Sequence, residues 1–219
     1  MDFKDHLEKS WKTFTGFLPA LLINTLALAG MSIVTLGIMA PVCTAGYFQS
    51  LLLAIRDNRK PEVSDLFSHM RLFLPLLAFT IVAGIVLIIG FSLLVLPGII
   101  VGVALSFFCL YMLPLMTDQE MGLIDAVKES SRMAMQDPVA DHVVVVVLYV
   151  AITTLGNSTG IGALFTQPFA TLFIMSAFEE RKEQELPVPE KSEKPNKSKP
   201  ETPEAIEPNE TGESEEMKE

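Results

Sequence analysis

The sequence predicts an all-α, polytopic membrane protein with about six transmembrane helices, interfacial amphipathic helices and a disordered C-terminal tail. Three long stretches contain no Asp, Glu, Lys, Arg or His: residues 13–55, 72–117 and 143–178. About 20 continuous apolar residues cross a bilayer as a helix, whereas helices of soluble proteins carry a polar stripe that these stretches lack. A proline or glycine near the middle of each stretch indicates a hairpin. A large soluble helical domain is the less favoured alternative.

The segment before the first hairpin, residues 1–16, has the pattern of an amphipathic helix. At helical spacing one face carries its apolar side chains Phe3, Leu7, Trp11 and Phe14, and Leu18 continues this face into the hairpin. We expect this face to lie in the membrane interface, with Trp11 in the aromatic belt. An ordinary connecting helix packed under the bundle is equally compatible with the pattern.

The first hairpin covers residues 17–55. Gly37 and Pro41 lie near the middle of this stretch and mark its turn, because glycine tolerates left-handed dihedral angles and proline interrupts a helix.

The second hairpin covers residues 73–116, and its length shows why the chain must reverse. The uncharged stretch around it has 46 residues. As one helix it would be about 69 Å long, against a hydrocarbon core of about 30 Å. Pro97 and Gly98 form an ordinary turn pair, so we place the reversal there.

The third hairpin covers residues 138–178, with Gly160 at its turn. Its first arm has only 13 strongly apolar residues if it starts at Val143, which makes it the weakest predicted span. The arm is longer if it starts near Pro138, which places Asp141 and His142 among the lipid headgroups.

The three hairpins resemble one another. Each begins with a proline, turns at a glycine and ends with an acid 20 residues after that glycine. The prolines are Pro19, Pro75 and Pro138, the glycines are Gly37, Gly98 and Gly160, and the acids are Asp57, Asp118 and Glu180. We interpret this as an internal repeat of three two-helix units.

Three hairpins place every charged segment on one side of the membrane. Eleven Lys and Arg residues flank the hairpins on that side, and the three turns have none. The positive-inside rule therefore predicts that both termini are cytoplasmic.

Residues 179–219 are predicted to form a disordered acidic tail. From Lys182 onward the tail contains twelve acids, six lysines and six prolines, and too few apolar side chains to form a core. It either recruits a protein partner or keeps the cytoplasmic face soluble. The net charge of −10 gives no reason to expect nucleic-acid binding.

No catalytic or metal-binding set is recognisable, and we expect no cofactor. The three histidines, His6, His69 and His142, do not occupy equivalent positions in the repeats and are expected to be solvated at the cytoplasmic rim. Cys43 and Cys109 are expected to be packing residues. The uncharged spans argue against a proton-coupled transporter.

Residues 97–131 resemble a bacterial family of multi-pass membrane proteins of unknown function. The family is related to the membrane part fused to some glycerophosphodiester phosphodiesterases. The shared pattern is Pro-Gly-Ile, an apolar helix, an acid at the membrane edge and an Ala-Val-x-x-Ser helix. The matching residues are Pro97, Gly98, Ile99, Asp118, Ala126, Val127 and Ser130. The resemblance implies a helical protein of the bacterial inner membrane, without phosphodiesterase activity.

The expected function is that of a non-enzymatic integral membrane protein that binds membrane lipids or a partner protein. The alternative is a passive channel or transporter for a neutral or amphiphilic solute. A membrane enzyme that uses the acids and histidines of the rim is the least favoured hypothesis. The pattern does not indicate an oligomeric state.

Overall fold

A computed structural model describes residues 3–136, 138–159 and 161–185. Within them the chain forms nine α-helices and two short 3₁₀ turns, and no strand. The helices are α1 (Phe3–Gly16), α2 (Leu18–Val34), α3 (Ala40–Arg56), α4 (Phe73–Leu93), α5 (Val95–Phe108), α6 (Met112–Asp118), α7 (Leu123–Met135), α8 (Val139–Asn157) and α9 (Gly162–Glu185). The 3₁₀ turns are Val63–Phe67 and Met70–Leu72. The prediction of an all-α protein is confirmed for these residues.

Among the described residues, three segments are long and apolar enough to cross a membrane. They are Val63–Leu93, Val95–Asp118 and Val139–Asn157. The pair α1 and α2 would add a fourth if it were one span, but the two helices meet at an angle of 87°. Helix α4 carries its own apolar side chains on all sides, and only its residues Leu76 and Gly90 are buried. A helix that is apolar all round but hardly buried is typical of a membrane span.

The first hairpin turns where the sequence predicts. Gly37 lies between α2 and α3, and its φ of +82° is in the left-handed region that favours glycine. Pro41 belongs to the first turn of α3, where its missing N–H costs nothing.

The second hairpin turns at Leu94, so the predicted turn at Pro97 and Gly98 is wrong in position. Leu94 is extended, with φ −170° and ψ 156°, and separates α4 from α5. Pro97 and Gly98 lie in the first turns of α5. A Cβ on Gly98 would overlap the Phe91 ring, and a Cβ on Gly90 would lie 3.1 Å from the Gly98 Cα. The two glycines therefore let the paired helices approach closely.

The second arm of this hairpin is interrupted, which the sequence analysis did not predict. α5 ends at Phe108 and α6 begins at Met112, so residues 109–111 break the helix.

The third hairpin starts at Val139, with Pro138 at the helix N-cap. This agrees with the longer version of the arm. Gly160, the predicted turn residue, lies outside the described residues.

Helix α9 extends to Glu185, so the predicted disorder is wrong for residues 179–185. This charged extension is helical because it packs against other elements, as described below. The rest of the predicted tail, residues 186–219, lies outside the described residues.

The core of the protein lies toward the charged ends of the hairpins. Helix α3 and the second half of α9 form its centre, with α1, α6 and α7 packed around them. The largest fully buried side chains include Tyr47, Leu51, Tyr111, Phe173 and Phe178. At the turns, by contrast, large apolar side chains are exposed, among them Ile33, Val34, Leu36, Leu94 and Leu155. Such a continuous exposed apolar region is unusual for a soluble protein.

Helix α1 leaves part of its apolar face uncovered by the protein. Its buried residues are His6, Ser10 and Phe14, whereas Leu7 and Trp11 are 42% and 58% exposed. His6 contacts Ser176 and Glu180 and so joins the buried side of α1 to α9.

Candidate functional site

A cluster of four charged side chains joins the ends of α3, α6 and α9. Arg56 donates two hydrogen bonds to Asp118, at 2.7 and 3.0 Å, and two to Glu179, at 3.0 and 2.5 Å. Lys182 Nζ donates to Asp118 Oδ2 at 2.7 Å, the same oxygen that accepts the bond from Arg56 Nη2. The hydrogen bonds to Asp118 and then to Glu179 raise the pKa of the Arg56 guanidinium, so the cluster strongly favours its charged form.

Two of the three acids of the predicted repeat form interhelical contacts. Asp118 belongs to the charged cluster, while Glu180 accepts a hydrogen bond from His6 Nε2. Asp57 caps the C-terminal end of α3. The three positions are therefore not structurally equivalent, although all lie at the charged ends of the hairpins.

Two buried side chains satisfy backbone groups that the interruption at residues 109–111 leaves free. Ser130 Oγ accepts a hydrogen bond from the Tyr111 N–H at 3.2 Å. His142 Nε2 donates to the carbonyl oxygen of Phe107 at 2.8 Å. A carbonyl can only accept, so Nε2 of His142 carries a proton. An unsatisfied backbone group is costly in an apolar environment, and α7 and α8 thus stabilise the interruption.

Three buried polar side chains lie close to this interruption. Tyr111 Oη, His142 Nδ1 and Arg181 Nε are buried, and among the described residues none of these atoms has a partner within 3.5 Å at good hydrogen-bond geometry, although the Arg181 guanidinium lies near the Tyr111 hydroxyl. The rings of Tyr111 and His142 lie 5.3 Å apart, and Arg181 acts electrostatically on both. Arg181 Nη1 donates to the Met133 carbonyl at 2.7 Å.

A cavity of about 160 Å³ borders the interruption at Cys109 and Leu110. It is lined by Phe48, Leu105, Ser106, Cys109, Leu110, Leu113, Tyr149 and Ile174. Most of this lining is apolar, with polar atoms from Ser106, Cys109 and Tyr149. Cys109, expected to be a packing residue, thus borders a cavity, whereas Cys43 is buried.

A larger apolar cleft of about 530 Å³ lies along α8, at the side where Val103 of α5 faces it. It is lined by Val103, Val146, Val147, Val150, Ala151, Thr154 and Leu155. Thr154 has the only hydroxyl among these side chains. The volume falls in the usual range of ligand pockets, about 300–1,000 Å³, and the lining is suited to hydrocarbon.

Two histidines are buried, so the expectation of solvated rim histidines is wrong for them. His142 supports the interruption, and His6 links α1 to α9 through Ser176, at 2.8 Å from Nδ1, and Glu180. His69 is half-buried beside Ser68. Within the described ranges, no three His, Cys, Asp or Glu side chains are grouped to hold a metal ion.

Most of the residues that carry the family resemblance contribute to helix ends or to contacts between helices. Pro97 and Gly98 lie at the start of α5, Asp118 is in the charged cluster and Ser130 supports the interruption. Ala126 is buried in α7, Val127 packs beside it against the core, and Ile99 is half exposed. Comparison of the chain with protein-family models, curated proteins and solved structures finds no match.

Proposed function

We propose that this chain is a multi-pass protein of the bacterial inner membrane that binds lipid in the cleft between α5 and α8. In this arrangement α2 and α3, α4 and α5–α6, and α8 and α9 cross the membrane as three hairpins, with both termini in the cytoplasm. The exposed apolar side chains at the turns and the charged cluster at the opposite end support this orientation. Helices α2 and α3 have 17 residues each, the lower end of the usual range for a span. The resemblance at residues 97–131 agrees with this placement.

The observation that carries the proposed function is the apolar cleft between α5 and α8. Six of its seven lining residues belong to α8, and the seventh, Val103, belongs to α5. In a bilayer such a cleft is filled by lipid. An acyl chain fits the lining, because valine, alanine and leucine side chains offer dispersion contacts and almost no hydrogen-bonding group.

A photoactivatable phosphatidylcholine with a diazirine in its acyl chain tests this proposal. After irradiation of reconstituted vesicles, peptide mass spectrometry locates the attached lipid. We expect attachment to concentrate on residues 146–155 rather than on the equally apolar α4. The substitution Val150→Trp fills the cleft and reduces attachment there. Ile88→Trp, at an exposed position on α4, is the matched control. Equal labelling of α4 and α8 in the unmodified protein contradicts a specific cleft site.

A passive path for a small neutral solute is the second candidate, favoured by the cavity at the interrupted helix. Broken helices mark the substrate sites of many transporters, since the unwound backbone provides polar groups within the membrane. Here Ser106 and Tyr149 line the cavity. Vesicles containing the protein would leak a small neutral solute faster than empty vesicles, and Ser106→Phe would remove the difference. Equal leakage from both kinds of vesicle excludes this function for that solute.

A further inference from the structure

A groove lies between α1 and α9, where Phe169 of α9 meets one face of α1. It has a volume of about 300 Å³ and is lined by Lys4, Leu7, Glu8, Trp11 and Phe169. The four α1 residues recur at spacings of three and four, so they share one helix face. This groove therefore combines an aromatic and an aliphatic wall with one carboxylate and one ammonium group.

We infer that this groove binds the headgroup of an amine-containing zwitterionic phospholipid, namely phosphatidylethanolamine. The inference rests on the proposed membrane placement but concerns a site separate from the cleft between α5 and α8. Because α1 and α2 meet at 87°, a membrane-spanning α2 places α1 along the membrane surface. The exposed Trp11 then lies at headgroup depth, where tryptophan is enriched.

The Glu8 carboxylate matches the ammonium charge of this headgroup. It accepts charge-assisted hydrogen bonds from the lipid ammonium, and the Trp11 ring adds a cation–π contact. The methylene chain of Lys4 adds apolar surface to the groove. Leu7 and Phe169 face the first carbons of the acyl chains. Phosphatidylglycerol has no ammonium group, so it offers Glu8 no cation.

The Trp11 ring is fixed by aromatic neighbours, which makes the groove a defined site. Its centroid lies 6.0 Å from that of Phe169, at an interplanar angle of 80°, and 5.9 Å from that of Phe14. Phe14 and Phe169 are themselves in edge-to-face contact at 5.9 Å. This three-ring cluster holds α1 against α9 and leaves Trp11 largely exposed.

Trp11 is the only tryptophan of the chain, so its fluorescence reports on this groove alone. The full chain is reconstituted in phosphatidylcholine vesicles that contain equal fractions of brominated phosphatidylethanolamine or brominated phosphatidylglycerol. The bromines, placed near the top of the acyl chains, quench a neighbouring tryptophan. We expect the association constant from quenching to be about two- to fivefold higher for phosphatidylethanolamine, the factor expected from one exposed ion pair between Glu8 and the lipid ammonium.

The substitution Glu8→Gln removes this preference while leaving α1 and the cleft unchanged. Asp125→Asn makes the same charge change at an exposed position of α7 and should retain the preference. Equal quenching by both lipids, or a preference that survives Glu8→Gln, overturns the headgroup assignment. No quenching by either lipid overturns the placement of the groove in the membrane. Neither result changes the diazirine labelling pattern expected of the cleft between α5 and α8, so failure of the two proposals can be distinguished.

Discussion

Replacing Asp118 with asparagine should destabilise the protein, because this carboxylate is the centre of the charged cluster. Asn keeps the shape of the side chain but removes the charge that faces both Arg56 and Lys182. Arg56 retains its bonds to Glu179, whereas Lys182 loses the cluster contact that the structure gives it.

The burial of the three side chains sets the size of the effect. The Asp118 side chain is 7% exposed, whereas Arg56 and Lys182 are each 29% exposed and partly screened by solvent. Breaking a fully buried ion pair costs about 3–5 kcal/mol, and an exposed pair contributes at most about 1 kcal/mol. The cluster lies between these limits, so we expect the free energy of unfolding to fall by about 2 kcal/mol.

Reversible unfolding in mixed detergent micelles, followed by circular dichroism, measures this change. Glu129→Gln is the control, since it breaks the exposed contact of Glu129 with Arg132 within α7 and should cost less than about 0.5 kcal/mol. A double-mutant cycle of Asp118→Asn with Arg56→Met isolates the coupling between the two side chains. If Asp118→Asn costs no more than the control, the cluster does not hold the helix ends together.

Two further substitutions test how α3 and the interrupted helix are packed. Gly46→Ala should lower the free energy of unfolding by about 1–3 kcal/mol, because the new Cβ would lie 2.7 Å from the Leu66 carbonyl oxygen. Gly84→Ala is the control in the same unfolding assay. It should be neutral or stabilising, because no atom lies within 4 Å of the new Cβ. Ser130→Ala should cost about 1–3 kcal/mol, because it leaves the buried Tyr111 N–H without an acceptor, and hydrogen exchange at Tyr111 should accelerate. Ser131→Ala is its control, since that hydroxyl bonds only within α7, and equal effects of the two serine substitutions contradict the proposed support.

Features that depend on local composition were predictable from the sequence. Long uncharged stretches predicted apolar helices, and Gly37 predicted a turn that requires a left-handed φ. The start of the third hairpin near Pro138 followed from the same kind of reasoning, because proline is suited to a helix N-terminus. Each of these signals lies within a few residues of the feature that it predicts.

Features that depend on distant partners were missed or misplaced. Nothing in residues 105–115 signals that Ser130 and His142 will satisfy the backbone there, so the interruption was not predicted. Gly98 signals conformational freedom, but whether glycine serves a turn or a close helix contact depends on what faces it. In this protein Phe91 and Gly90 face Gly98, and the chain turns at Leu94 instead.

In the candidate sites too, local features were predictable from the sequence and contacts between distant residues were not. The sequence predicted Trp11 on the apolar face of an amphipathic helix and Asp118 at the charged end of an apolar stretch, since both follow from amphipathic and charge patterns. It did not identify the groove beside Phe169 or the pairing of Asp118 with Arg56 and Lys182, because these residues are far apart in the chain.

Composition alone determined which parts of this protein are apolar helices, because the transfer of a side chain out of water depends mainly on that side chain and its close neighbours. The tertiary structure decided where the helices break, which face of α1 is buried and which charges pair. Those outcomes depend on hydrogen bonds and ion pairs between distant residues, such as His6 with Glu180 and Arg56 with Asp118. The strength of such bonds depends on geometry that exists only after the helices have packed.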